Sequence, residues 1–528
     1  MYTYASIGVL FLHPSFMSRL LVDGWQVVIG LETHVQIKSS QKLFSKSPTS
    51  LLNRYPNTQY NAFDAAFPGT LPRLNRKCLD LALRAALALN CSIKTRSSFD
   101  RKHYFYSDQP AGYQITQHYS PFAVNGQFTA PKLGIPVRIK QIQLEQDTAK
   151  SVTDARTRTA LIDLDRAGTG LLEIVTEPDF RSSTQAAEYI RSLQETLRAL
   201  GVSDGNMEAG SFRCDVNVSI NRPNEPPGTR CEVKNINSVK FMVAAIEYEI
   251  QRQRLLLETN GLVPQETRGF NHDSWKTFKM RAKEDAPEYR YMPDPNLGVL
   301  VLGQEHIEKV RREMPLLPAA TRARLLETYS SSGVTESNID VLMNLDVSRE
   351  IPYDGAPEST IGAVAYFELL CSPGRDPKFV MNWMIQNLLG QLSALGKSFC
   401  SDYIAVAQMG ELLDLVGTKQ MSRSSAKLLL KQMLISPSNT PVKQLAAEMD
   451  LLSSVLLNTN TASVSPNEDD ILHNVCVRAI AALPREIEAI RNGNDNVYNK
   501  VIGWIMRETK GKVDAKQTKN MLKQLIDQ

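Results

Sequence analysis

Glu32, His34 and Gln36 alternate with Leu31, Thr33, Val35 and Ile37 in the stretch IGLETHVQI, residues 29–37. Successive side chains of a β-strand point to opposite faces. One face of this segment is therefore apolar or β-branched, and the other offers a carboxylate, an imidazole and an amide. Four further runs repeat the pattern. CDVNVSI (214–220) sets Asp215, Asn217 and Ser219 opposite Cys214, Val216, Val218 and Ile220. RCEVKN (230–235) sets Glu232 and Lys234 opposite Cys231 and Val233, and the NRPNEPPG between the two runs reads as a hairpin loop. KQIQLEQD (140–147) shows Gln141, Gln143, Glu145 and Asp147 on one side, with Ile142 and Leu144 on the other. In LLEIVTE (171–177), Glu173 lies inside what otherwise reads as a buried strand, where a carboxylate is costly unless it is paired, hydrogen-bonded or bound to a metal.

Any one of these faces could be an ordinary solvated sheet surface. Together they concentrate acids and amides with one histidine, the ligand set that hard divalent cations prefer. Acids gathered on one face repel each other, and a bound Mg²⁺ would offset that. Lys150, Arg166, Lys234, Lys279, Arg281 and Lys283 could hold phosphates. The pattern suggests metal-assisted phosphoryl chemistry, in which the protein positions groups and stabilises charge. The chain has neither G-x-x-x-x-G-K-[ST] nor the kinase motif set, so ATP would be held by the sheet face and its metals. It also lacks a G-x-S-x-G elbow and a Ser-rich glycine cluster, so hydrolytic release of ammonia would need another chain.

The elements that must carry these residues read as α+β. Residues 25–300 form a mostly antiparallel-sheet domain, interrupted by helical patterns at 76–90, 183–200 and 238–257. An all-α domain over 301–405 and an all-α tail over 406–528 follow, with apolar residues at helical spacing. A length of 528 residues suits several such domains. Composition is that of a soluble globular protein, 42% hydrophobic and 22% charged. Lys plus Arg is 60 against 56 for Asp plus Glu, so any basic surface for nucleic acid must be local. The seven cysteines are odd in number, dispersed and never spaced C-x-x-C, which argues against a disulfide framework or zinc knuckle and fits a reducing compartment. No run of 18 uncharged apolar residues exists, so no membrane span is expected. The first 22 residues carry no acid, three Ser and one Arg. Residues 1–24 therefore read either as a transit peptide, for which a single Arg is poor, or as a disordered start.

Longer blocks of the sequence resemble a known family. VVIGLETHVQIKSSQKLFS, FDRKHYFYSDQPAGYQITQ, IQLEQDTAKSVTD, DLDRAGTGLLEIVTEPDF, MEAGSFRCDVNVSI, EVKNINS and MRAKEDAPEYRYMPDPNL run in order from 27 to about 298. FVMNWMIQNLLGQL and IGWIMRETKGKVDAKQTKNML follow. All are similar to the B subunit of the glutamyl-tRNA(Gln) amidotransferase. The resemblance implies a cradle domain similar in fold to glutamine synthetase, then a helical domain and a helical tail that touches tRNA. It implies that the glutamyl γ-carboxylate on misacylated tRNA(Gln) is phosphorylated with ATP and Mg²⁺. Ammonia from an amidase A subunit would then displace the phosphate, in a complex with a small third subunit, C-type or a fungal-type replacement.

By the same resemblance Glu32, His34, Glu145 and Glu232 are metal ligands and Glu32, Glu145 and Glu173 are catalytic; Lys150 and Arg166 join the catalytic set as cations that could hold phosphate. Tyr104, Tyr106, Asp215, Asn217, Lys234, Arg281 and Lys283 would then contact the nucleotide, with aromatic packing beside turns as the alternative for the tyrosines. The sequence departs from the usual bacterial block H-L-E-E-D-A-G-K, reading QLEQDTAK, and it has Ala209 where an acid is common. The glutamine at 146 resembles the organellar branch and, with the leader, implies the mitochondrial matrix, the cytoplasm being the alternative.

The tail carries Arg507 and Lys500, Lys510, Lys512, Lys516, Lys519 and Lys523 against three acids over 497–528. On charge alone this is a solvated helical face. The resemblance turns Lys510, Lys512, Lys516 and Lys519 towards phosphates of tRNA, contacts that position RNA without reading sequence. Two other readings compete: a tRNA-binding scaffold without catalysis, for which the changes at 146 and 209 speak, and a stand-alone metal-dependent ligase, which would not need the basic tail.

Overall fold

The computed structural model describes residues 21–22, 24–49, 55–282, 288–356, 360–372, 374–438, 440–452, 468–491, 494, 497–509 and 515–526. Most of the expected leader, together with Lys283, Lys510 and Lys512, lies outside these residues, and the side chain of Lys516 is likewise outside the description. The chain divides into two units, residues 1–321 with 349–358, and residues 322–348 with 359–528.

The first unit is built on one large sheet. Its strands in chain order are β1 (Trp25–Gln36), β2 (Ser92–Ile93), β5 (Ala123–Phe128), β6 (Val137–Gln146), β7 (Gly170–Thr176), β8 (Phe212–Asn221), β9 (Cys231–Ile236), β10 (Glu266–Asn271) and β11 (Lys276–Ala282). They are arranged β11-β10-β9-β8-β1-β7-β6-β5-β2, and Leu21–Val22 also pairs with β1. Every pair is antiparallel except β9 with β10. A smaller sheet of β3 (Asp100–His103), β4 (Tyr113–Thr116) and β12 (Met292–Pro293) lies against β6.

Period-2 alternation decides which side of the large sheet is wet. In β1, Val27, Ile29, Leu31 and Val35 are at most 1% exposed, while Glu32 and His34 are half-buried. The apolar face packs with α1 (Arg76–Ala88), α2 (Ser183–Ala199) and α3 (Val239–Glu258) into one core. Each fully buried Leu, Ile or Val there contributes about 1.5–3 kcal/mol. Two of the helices start on side-chain caps: Asn75 accepts from the Lys77 N–H and Ser182 from the Gln185 N–H.

Helix α4 (Gln304–Arg312) belongs to this unit as well, its His306 Nε2 lying 2.8 Å from Asp80 Oδ1 of α1. The sheet-bearing unit thus runs continuously to 321 and takes in 349–358 as well. The second unit is helical. One apolar core runs from Leu325 to Leu451, across the expected boundary near 405, because Met409, Leu412 and Leu413 share it with the helix Ala363–Cys371. A separate core, with Cys476, Ala479, Val501, Ile505 and Leu522, joins the helices of residues 468–526. No helix among the described residues is long and apolar enough to cross a membrane. The architecture is α+β, as the alternation predicts.

Candidate active site

Strand register brings the polar faces together. Across β1 and β8, Glu32 pairs with Asp215 and His34 with Arg213. Across β1 and β7, His34 pairs with Glu173. Across β7 and β6, Glu173 pairs with Gln143 and Leu171 with Glu145. Cross-strand partners share a face, so four strands that are far apart in sequence present one surface.

On it, Glu32, His34 and Asp215 bring one ligand atom each within 4.8 Å of one another, and so do His34, Glu145 and Glu173. The two groups share the histidine, whose Nε2 is 3.6 Å from Glu32 Oε1. Asp215 also accepts from Lys234 Nζ at 3.1 Å and from the Asn235 N–H at 2.9 Å. Despite burial, the Lys234 ammonium, the nearby His34 and those hydrogen bonds hold its carboxyl below the usual range.

Glu145 and Glu173 divide in character. Burial works against both charges. For Glu145, the Lys102 ammonium and hydrogen bonding outweigh it, and the carboxyl lies below its ordinary value. For half-buried Glu173, loss of solvation and the facing Glu145 and Glu32 push the carboxyl well above its ordinary value. Gln143 Nε2 donates to Glu173 Oε2 at 2.5 Å, Thr116 Oγ1 to Glu145 Oε2 at 3.3 Å, and Gln114 Nε2 also donates to Glu145. Tyr104 donates its hydroxyl to Gln114 Oε1 at 3.3 Å.

The residues fit a hard cation. Each group is a half-buried or buried set of carboxylate oxygens with one imidazole, the donor chemistry of magnesium and related ions. The buried Oδ1 of Asn217, on the same face, has no hydrogen-bond partner. The upward shift of Glu173, caused by burial and by the facing Glu145 and Glu32, is the response expected where anions meet.

Sequence matches to known proteins accord with this face. The family profile described as GatB/GatE catalytic domain matches residues 27–308, and one described as GatB domain matches 365–526. The chain is 51% identical to the mitochondrial B subunit of the glutamyl-tRNA(Gln) amidotransferase from Laccaria bicolor, over 95% of this chain and 92% of that one. This chain belongs to the family of glutamyl-tRNA(Gln) amidotransferase B subunits. It is 38% identical to the human mitochondrial B subunit, over 98% and 91% of the two chains. It is equally identical to the B subunit of an aspartyl/glutamyl-tRNA(Asn/Gln) amidotransferase from Rickettsia canadensis, over 95% and 98%.

Within the family's fold the other expected residues fall in different places. Glu232 stands outside both acid groups, 3.2 Å from Lys234 Nζ and from Thr267 Oγ1. Arg281 continues that row at the sheet edge, opposite Thr267. Arg166 does not reach the acids. It is spent on Asp147 at 2.8 and 3.0 Å, and Asp147 also accepts from Arg213 at 2.9 Å. Lys150 is exposed on a separate hairpin, Lys150–Asp154 with Thr159–Asp163, because the chain leaves the large sheet after Gln146. Tyr106 is 59% exposed. In the tail, Lys519 Nζ lies 5.7 Å from the Tyr498 ring centre.

The departures at 146 and 209 lie off the acid groups. Gln146 turns to the opposite side of β6 from Glu145, where its Oε1 accepts the Ile115 N–H at 3.0 Å. Ala209 sits exposed in a turn, its N–H held by Asn206 at 3.0 Å. Sequence reasoning missed Lys102, the cation that faces Glu145 and Glu173. It stands in DRKH, a segment of charges with nothing apolar between them, so periodicity offered no signal.

Proposed function

We propose that this chain is the tRNA-amidating subunit of a heteromeric amidotransferase and converts Glu-tRNA(Gln) to Gln-tRNA(Gln). The observation that carries this reading is the pair of acid groups sharing His34, on a face flanked by Lys102 and Lys234. ATP is the activating substrate and Mg²⁺ the ion that Glu32, His34, Asp215, Glu145 and Glu173 would hold. A bound cation supplies neutralisation of phosphate charge and alignment of two anions. Glutamine is the amide donor, and its ammonia comes from an amidase A subunit, with a small third subunit completing the complex.

The chain's own residues do the rest. Lys102 and Lys234 offset the charge of the carboxylates, so the substrate's γ-carboxylate meets a face that is not uniformly negative. Gln143 and Thr116 fix the orientation of Glu173 and Glu145. Arg166 positions Asp147, and through it Arg213 beside His34. The unit that carries the site is a cradle in the manner of glutamine synthetase, and the basic tail contacts tRNA. The names of the fungal and human relatives support a mitochondrial location.

The test supplies the reconstituted complex with Glu-tRNA(Gln), ATP, Mg²⁺ and ammonium, which bypasses the glutaminase step. Glu32→Gln is expected to lose at least about a hundredfold in amidation, roughly 2.7 kcal/mol of barrier. Equal activity would make Glu32 a solvent-face residue. Binding of tRNA without any amidation by wild type would favour a scaffold.

A further inference from the structure

Beside the acid groups runs an unbroken row of rings. Tyr106 and Tyr104 have centroids 5.7 Å apart, and Tyr104 meets Tyr289 edge-on at 6.1 Å. Tyr289 meets Tyr291 at 6.1 Å, Tyr291 stacks on His118 at 3.9 Å and 11°, and His118 meets Tyr119 at 4.9 Å. The middle of the row meets the site: Lys102, the cation facing Glu145, lies with its Nζ 4.8 Å from the Tyr289 ring centre. It ends in solvent, with Tyr106 59% and Tyr119 65% exposed and His118 exposed as well.

Between those ends Tyr104, Tyr289 and Tyr291 are half-buried; large rings left exposed at both ends of one continuous row cost solvation, and a protein surface keeps them where something covers them. The substrate's reacting glutamyl group is esterified to the last nucleotide of an unpaired 3′ end. That end must lie across the rim of whatever site takes the glutamyl group. Aromatic rows with nearby cations bind single-stranded nucleic acid by stacking on bases, each worth about 1–3 kcal/mol and largely indifferent to sequence. The single adenine of ATP would occupy one ring, whereas this row has five successive ring-to-ring steps.

We infer that the ring row from Tyr106 to Tyr119 is the shelf on which the unpaired 3′ nucleotides of the aminoacyl-tRNA stack as the glutamyl group enters the site. This rests on the function proposed above, and it assigns Tyr106 to RNA rather than to the nucleotide.

The experiment uses the whole amidotransferase complex and two acceptor-stem RNA hairpins, one with the unpaired 3′ nucleotides and one blunt. Binding is read by fluorescence anisotropy, and KM is measured separately for Glu-tRNA and for ATP. Wild type should prefer the overhanging hairpin. Tyr119→Ala should weaken that hairpin about tenfold and raise the KM for Glu-tRNA, while binding of the blunt hairpin and the KM for ATP stay as they are. Tyr119→Phe, which keeps the ring, should behave as wild type.

The inference is overturned if wild type does not distinguish the hairpins, or if Tyr119→Ala leaves the preference intact. It is equally overturned if the substitution raises the KM for ATP instead, which would make the row a nucleotide site, or if the complex dissociates, which would make it an interface with another chain. Hairpin binding does not depend on chemistry, so a wild-type complex that shows the preference but does not amidate would sink the proposed function and leave the shelf standing.

Discussion

Gln143 stands directly across the β6–β7 pair from Glu173 and donates to it at 2.5 Å. The same amide group lies 3.1 Å from Thr116 Oγ1, on the small sheet. One side chain thus ties Glu173 to the sheet that supplies Lys102.

Replacing Gln143 by Leu keeps the bulk and removes the donor. A buried carboxyl that loses its partner costs about 1–3 kcal/mol. Thermal unfolding should register that loss, and ammonium-dependent amidation should fall about tenfold, the kinetic equivalent of about 1.4 kcal/mol. An unchanged rate would mean that Glu173 is oriented by other contacts.

Gln146→Glu restores the acid that the bacterial block carries. Its side chain points away from the acid groups, and a carboxylate oxygen can accept the Ile115 N–H as well as the amide does. Amidation and its magnesium dependence should both stay within about twofold of wild type, well inside the roughly 1.4 kcal/mol of a tenfold effect. A sharp change in magnesium dependence would place residue 146 in the metal's reach.

A second charged assembly lies where α3 packs on the large sheet, and there Glu249 is fully buried. It accepts from Arg252 at 2.8 Å and lies 2.8 Å from Arg268 Nε, with Thr277 donating as well. Burial opposes its charge, but these partners hold its carboxyl below the ordinary range. A carboxyl depressed in the folded state adds stability above its unfolded pKa of about 4.3, and that stability is lost as pH falls through the lower folded value. Glu249→Gln should cost about 3 kcal/mol at neutral pH, since it leaves buried guanidinium groups short of a counter-charge. It should also flatten the acid limb of the stability curve below about pH 4.3. Chemical denaturation across the range from neutral pH down to about pH 3 checks both, and an acid limb identical to wild type would count against the assignment.

The tail calls for a salt titration. If Lys519 contacts an RNA phosphate, Lys519→Ala should weaken tRNA binding without regard to sequence. It should also reduce the slope of log K against log salt by about 0.7–0.9. If its place over Tyr498 is merely a surface contact, the slope will not move.

Alternation along single strands was enough to name Glu32, His34, Asp215 and Glu145 as residues of polar faces, because the period of a strand is local, and Glu173 stood out as a lone carboxylate in an apolar run. It also marked the α+β class and the helices α1, α2 and α3, whose apolar residues recur at helical spacing. Beyond the β8–β9 hairpin, which the NRPNEPPG loop announced, the sequence could not say which strand neighbours which. β7 separates β1 from β6, and β8 lies on the other flank of β1, although β1 is far from all three along the chain. That order is settled by long-range burial, and only it makes His34 the member common to both acid groups. The same holds for Lys102, brought over Glu145 and Glu173 by a second sheet, and for Arg166, drawn away to Asp147. A charge in a sequence has no direction until packing decides which opposite charge it can reach with least loss of solvation.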